Sequence, residues 1–195
     1  MTIKPGEDWG ELIAAPDDVL DVASDAELGA HLARGDERRV CLRGGDLVTT
    51  LGAPTPGERV RRLPIDVLHV TTDAGSFTAV AHLVARRSWW RGPILAVMNA
   101  DRLGRWDVAP RAHPNDGRAD VVEVDAAMGV RARWQAWRRL PSGTHVPHPS
   151  IGTRRIAEQA WTFDRPQRLW VDGVARGSVR SLRVVVEPDG AVIHC

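Results

Sequence analysis

The chain has 195 residues, 43% hydrophobic and 26% charged, enough for one domain with a full core or one domain with a small appendage. Its 26 basic and 25 acidic side chains leave a net charge of +1, which excludes a generic polyelectrolyte binder but not a local basic patch. Two cysteines, Cys41 and Cys195, with no C-x-x-C spacing exclude a disulfide scaffold and a thiolate zinc site, so a reducing cytoplasm is expected.

From the N-terminus, Met1–Gly10 carries Glu7 and Asp8 and has no apolar core, so it does not read as a secretory signal. No stretch approaches the roughly 18 apolar residues of a membrane span. Asp25 is placed to cap a short helix running through Arg34, with Glu27 in its first turn, and Val40–Arg43 reads as a short strand. Gly52-Ala53-Pro54-Thr55-Pro56-Gly57 disfavours regular structure and is the expected linker.

Downstream, short runs rich in Val and Ile alternate with turn sequences. Ile65–Thr71, Phe77–Val84, Ile94–Met98, Ala119–Val124, Leu169–Val171, Leu182–Val186 and Ala191–Ile193 are predicted strands. Asp73-Ala74-Gly75, Asn115-Asp116-Gly117, Asp172-Gly173 and Asp189-Gly190 are predicted turns. One helix, Met128–Leu140, interrupts them, with Asp125 as its expected cap and Pro141 as its stop. Val130, Trp134 and Trp137 fall at i, i+4 and i+7, which predicts a buried stripe with Arg131 and Arg138 on the wetter side. This pattern predicts a mainly β (α+β) fold with one packed helix: a small α/β appendage over residues 1–57 and a β domain over 58–195.

Charge is segregated. The first 30 residues hold eight acids and one base, Lys4, whereas Ala126–Ala157 holds six arginines and no acid. Two solvated faces of opposite sign account for this, and the alternative is an anionic-ligand surface around the second segment. The aromatic residues are eight Trp and two Phe, and each buried indole needs a partner for its N–H.

Three groups of residues could carry chemistry. His113-Pro114-Asn115-Asp116-Gly117-Arg118 is first a turn, but a carboxylate beside inward-pointing carbonyls also suits a hard cation such as Mg²⁺. His145 and His148 lie three apart, but the prolines around them prevent a helical pair, and no acid or cysteine nearby supplies a third zinc ligand. Gly44-Gly45-Asp46 follows a predicted strand, where glycines let a backbone approach a phosphate, yet no complete phosphate-binding fingerprint is present.

Gly44-Gly45-Asp46-Leu47-Val48-Thr49-Thr50-Leu51-Gly52, Leu63-Pro64-Ile65-Asp66-Val67, Ala109-Pro110 with Asn115-Asp116-Gly117, Gly143-Thr144-His145 with His148-Pro149, and Val171-Asp172-Gly173 occur in that order. In order and spacing they resemble the diacylglycerol kinase family of lipid kinases, which includes the YegS-like and sphingosine kinases. The resemblance covers the chain from Gly44 to its end. It implies a β-sandwich like the C-terminal domain of those kinases, with Gly44, Gly45 and Asp46 on the nucleotide side. It also implies Mg²⁺ held by Asp116 with the backbone carbonyls of His113 and Arg118, and Asp172 as general base toward a lipid hydroxyl.

The sequence departs from the family in specific ways. It has no Gly-Gly-Asp-Gly-Thr loop to hold ATP, and only 43 residues precede Gly44. Gly45 replaces the Asn of the family's Asn-Asp pair, and Val174 replaces the Glu expected after the late Asp-Gly. Phosphoryl transfer depends on phosphate positioning and charge stabilisation. The expected function is therefore that of a non-catalytic, lipid-kinase-like domain that binds a lipid, another hydrophobic small molecule or a protein partner. The alternative is an enzyme, either a lipid kinase completed by a separate nucleotide-binding subunit or one running other chemistry around Asp116 and Asp172. The arginines of residues 131–155 belong to no helix-turn-helix, RRM or zinc motif, so nucleic acid is not an expected partner, and any membrane contact is expected to be peripheral.

Overall fold

The computed structural model describes residues 9–36, 38–52 and 59–195. The predicted linker therefore lies largely outside the described residues. In chain order the first elements are β1 (Glu11–Ala14), β2 (Leu20–Val22), α1 (Asp25–Ala33), β3 (Val40–Leu42) and α2 (Asp46–Thr50). Then follow β4 (Arg59–Thr72), β5 (Gly75–Ala79), β6 (His82–Arg86), β7 (Ile94–Met98), the small hairpin β8 (Arg102–Leu103) and β9 (Trp106–Asp107), and β10 (Ala119–Val124). Helix α3 (Val130–Arg139) precedes β11 (Ile151–Ile156), β12 (Glu158–Val171) and β13 (Val174–His194).

One eleven-stranded sheet joins them in the order β1-β4-β13-β12-β6-β7-β10-β11, with β5 on β4 and β3 and β2 attached through the end of β13. Its pairs are antiparallel except β2–β3 and β3–β13, which are parallel. A mainly β architecture with a large antiparallel sheet is thus the fold that the alternating Val/Ile runs predicted.

The sheet curls around a core drawn from β4, β6, β7, β10, β12 and β13, including Leu68, Leu83, Val97, Val121, Leu169 and Val184. A second apolar cluster sits under α1, with Leu28, Leu47, Ile65 and Ile193. A third lies between α3 and the outer face of β6, β7 and β10.

β7 and β10 match their predicted bounds residue for residue. Other expectations need correction. Phe77–Val84 is two strands, broken at Val80–Ala81, because the backbone N–H groups of residues 80–82 turn toward Asp172. Leu182–Val186 and Ala191–Ile193 form one strand. Asp189-Gly190 is not a hairpin turn but a bulge on β13, which continues along β4 from Leu182↔Thr72 to His194↔Arg62. A positive φ of 53° at Asp189 takes up the irregularity.

Asp25 does not cap α1. Ser24 does, accepting the Glu27 N–H at 3.3 Å, while the Glu27 carboxylate accepts the Ala23 N–H at 2.8 Å. Helix α3 is preceded by Gly129, not capped by Asp125, and its orientation differs from the periodic expectation. Val130, Trp134 and Trp137 are 50%, 46% and 38% exposed. The face turned to the sheet carries Ala132, Arg133, Ala136 and Leu140. The Arg133 guanidinium is buried and donates to the carbonyls of Met128, Trp89, Gly92 and Asp125, so it ties the helix to the loop after β6.

Candidate functional site

Asp172 begins the two-residue turn between β12 and β13, with φ of 46° there and 78° at Gly173. That turn points its carboxylate into the gap between β5 and β6. Oδ2 accepts the Val80 N–H at 2.9 Å, and Oδ1 accepts the Ala81 and His82 N–H groups at 3.0 and 2.9 Å. Burial pushes the Asp172 carboxyl above the ordinary range, against the three N–H donors that hold it down.

Asp25 faces the same region from the first turn of α1. Its Oδ2 accepts the Asp46 N–H at 2.6 Å and the Leu47 N–H at 3.4 Å, while Oδ1 is buried without a partner among the described residues. Burial first, then the neighbouring Asp172 and Asp46 charges, push Asp25 up to about 7. Gly45 is required here. Its φ is 114°, and a Cβ would stand 2.3 Å from Asp25 Oδ1. The glycine step before α2 thus admits the protein's own carboxylate, which takes the N–H groups that the sequence motif left open for a phosphate.

Asp46 is committed in turn. Its Oδ2 lies 2.8 Å from His82 Nε2, and Oδ1 accepts the Gly104 N–H at 2.7 Å. Gly104 is the tip of the β8–β9 hairpin, which links this polar centre to an apolar one. Leu103 and Trp106 of the same hairpin line a cavity of about 100 Å³ under α3. Its walls are Val84, Ile94, Ala96, Met98, Val122 and Met128, with Trp89, Trp90 and Trp137 at the helix side. His145, Trp106 and Arg133 also line it. Among the described residues, neither ring nitrogen of His145, which is 3% exposed, has a partner in hydrogen-bond geometry, and the Trp106 Nε1–H has none either. Burial holds His145 below its usual range, despite the nearby Val108 carbonyl, so the ring is neutral at pH 7.

The predicted metal loop lies elsewhere, against β4 and the β13 bulge. Asp66 is fully buried and accepts the Gly117 N–H at 2.6 Å and the Asp189 N–H at 3.0 Å. Burial pushes its carboxyl up. Asn115 Nδ2 donates to Asp189 Oδ1 at 2.8 Å, and His113 Nδ1 accepts the Asn115 N–H at 3.2 Å. Asp116 Oδ1 accepts the Arg118 N–H at 3.0 Å, and Oδ2 pairs with the Arg155 guanidinium. Both Asp116 oxygens thus have protein partners, and the arrangement leaves no unengaged carboxylate oxygen there for Mg²⁺. Arg155 already supplies the positive charge at Asp116. Among the described residues no three His, Cys, Asp or Glu side chains are grouped to share a metal.

The structure therefore brings Gly45, Asp46 and Asp172 into one region and sets Asp116, His113 and Arg118 apart from it. Sequence reading missed Asp25, His82, Asp66 and Arg133 as buried polar residues. The local signals for them were an acid beside a predicted helix start, at Asp25, and the Leu63-Pro64-Ile65-Asp66-Val67 stretch of the family resemblance, at Asp66. The two cysteines are both free and lie on opposite faces of the sheet: Cys195 packs with Val40 and Leu42, whereas Cys41 alternates away from them.

No protein-family model matches the sequence, and no curated protein matches it by sequence. Solved structures match in three dimensions. A candidate diacylglycerol kinase from Bacillus anthracis strain Sterne aligns with a TM-score of 0.65 and 14% identity over 90% of this chain and 77% of that one. A second structure so described aligns with a TM-score of 0.65 and 11% identity over the same shares. A diacylglycerol kinase structure from the same organism gives a TM-score of 0.59 and 12% identity, over 90% of this chain and 75% of that one. At these identities the likeness concerns the fold, and the chain has the fold of the diacylglycerol kinases, as the ordered motifs from Gly44 onward implied.

Proposed function

We propose that this chain is a non-catalytic member of the lipid-kinase fold that binds the apolar end of a lipid or another hydrophobic small molecule in the cavity beneath α3. The observation that carries the reading is the composition of that cavity: an almost wholly apolar wall, with His145 and Trp106 among its lining residues. Binding pockets combine apolar walls with a few placed polar groups in this way. At about 100 Å³ the space is smaller than an engineered cavity of about 150 Å³ that takes benzene, so it suits one short apolar segment.

The polar centre supports the absence of chemistry. Asp172 is 8% exposed and held by three backbone N–H groups, and Asp25 occupies the N–H groups at the start of α2. A general base has to come within about 2.6–3.2 Å of the hydroxyl it deprotonates, and burial keeps the Asp172 carboxylate from a substrate.

The test is titration of the protein with dioctanoylglycerol, followed by tryptophan emission, alongside radiolabelled phosphate transfer from ATP. Saturable binding that is lost in Ala96→Phe, which fills the cavity, with no transfer, is the expected result. Transfer by this chain alone overturns the non-catalytic reading, and transfer only after a nucleotide-binding chain is added restores the split-kinase alternative. Titration without saturation, or with Ala96→Phe unaffected, overturns the cavity.

A further inference from the structure

Helix α3 presents outward the stripe that its periodicity assigns to a core. Val130 is 50% exposed, Trp134 46% and Trp137 38%. Beside it, on the loop after β6, Trp89 and Trp90 are 37% and 41% exposed. These are not scattered residues. The Trp90 and Trp137 rings are 6.4 Å apart, Trp89 meets Trp106 edge-on at 5.8 Å, and all four indoles line the cavity. A contiguous exposed patch of this kind marks an interaction surface.

The charge around it selects the partner. Arg87, Arg91, Arg131, Arg138 and Arg139 are all exposed on the same two segments. Arg138 stacks on Trp134 at 4.9 Å, holding its charge at the level of the indole. Between residues 87 and 92 and between 125 and 142 the only acid is Asp125, whose carboxylate is turned back to the Ala127 N–H at 2.7 Å. Exposed tryptophans among arginines match a bilayer interface, where indoles sit at headgroup depth and guanidinium groups meet anionic phosphates.

We infer that the face formed by α3 and the Arg87–Gly92 loop docks on an anionic phospholipid surface, with the tryptophans inserted and the arginines against the headgroups. Trp89, Trp90 and Trp137 of this face also line the cavity, so docking there brings the bilayer against its wall and a lipid enters it without crossing water. This last step rests on the cavity reading given above, whereas the docking itself does not.

The experiment is co-sedimentation with vesicles of phosphatidylcholine alone and with about one third phosphatidylglycerol, near physiological salt and at about 1 M, where the screening length falls to about 3 Å. Wild type is expected to bind the anionic vesicles at least about tenfold more strongly, and to lose that preference at high salt. Trp90→Ser with Trp134→Ser should reduce binding by about tenfold or more, and so should Arg131→Gln with Arg138→Gln and Arg139→Gln. All of these positions are exposed, and an unchanged melting temperature confirms that the variants are folded. Ala96→Phe should bind vesicles like wild type, which separates failure of the cavity from failure of the face. Equal binding to both vesicles, no binding to either, or full binding by the tryptophan variant overturns the inference. Self-association lost in the tryptophan variant, without vesicle binding, also overturns it and assigns the face to a protein contact.

Discussion

Asp172 and His82 exchange two hydrogen bonds: the Asp172 N–H donates to the His82 carbonyl, and the His82 N–H donates to Asp172 Oδ1, each at 2.9 Å. This reciprocal clasp joins the β12–β13 turn to the start of β6, and the remaining capacity of the carboxylate holds the Val80 and Ala81 N–H groups. An Asp-Gly turn that resembles a catalytic motif is thereby a structural anchor.

Asp172→Ala leaves three buried N–H groups without an acceptor, each costing about 1–3 kcal/mol. The expected loss exceeds about 3 kcal/mol in urea unfolding, and Asp172→Asn, which keeps one accepting oxygen, should lose less. A loss below about 1 kcal/mol in Asp172→Ala would show that the anchor does not carry the turn.

Asp25 gives the chain a pH dependence. Its folded value of about 7 lies above the ordinary 3.8, so the folded state binds the proton more tightly. The corresponding stability is full below about pH 4 and is lost as pH rises through 7. Asp25→Asn keeps an accepting oxygen for the Asp46 N–H but has no charge to bury. Its melting temperature should gain on wild type from pH 4 to pH 7.5, by an amount equivalent to a few kcal/mol. A constant difference across that range would remove Asp25 as the titrating group.

Arg133 is worth more than its place in a basic helix suggests. Removing its guanidinium takes the donor from the Met128, Trp89 and Gly92 carbonyls, while the Asp125 carbonyl keeps the Met128 N–H at 3.1 Å. Arg133→Ala should cost about 2–4 kcal/mol, with Arg133→Lys recovering only part because an ammonium cannot span the fork. Thermal melts of the two variants check this.

Trp134 behaves in the opposite way. With the indole 46% exposed, Trp134→Ala should lie within about 1 kcal/mol of wild type, not the roughly 3–5 kcal/mol of a core tryptophan. A large loss would place the helix face inward.

Chelation should not touch the Asn115-Asp116-Gly117 turn, because Arg155 and the Arg118 N–H already engage Asp116. EDTA is expected to leave the melting temperature of wild type unchanged. Arg155→Ala, at a half-exposed ion pair, should lower stability by no more than about 1 kcal/mol. A drop with EDTA that vanishes in Asp116→Ala would assign a cation to the turn.

The sequence by itself determined the β class, the bounds of β7 and β10, the Asp172-Gly173 hairpin and the order of motifs that matches the diacylglycerol kinase fold. These are local signals: alternation along a strand, and a residue pair that tolerates positive φ. Only the tertiary structure decided what those residues face. Val80 and Asp172 are 92 positions apart, and Asp25 and Asp46 are 21 apart, so no window of sequence shows one taking the other's N–H. The same limit explains α3. Its period correctly marks a stripe of Val130, Trp134 and Trp137, but a period has no inside or outside. Here Arg133 turns inward because the Trp89 and Gly92 carbonyls, more than 40 positions away, need its donors, and the stripe is left to the surface.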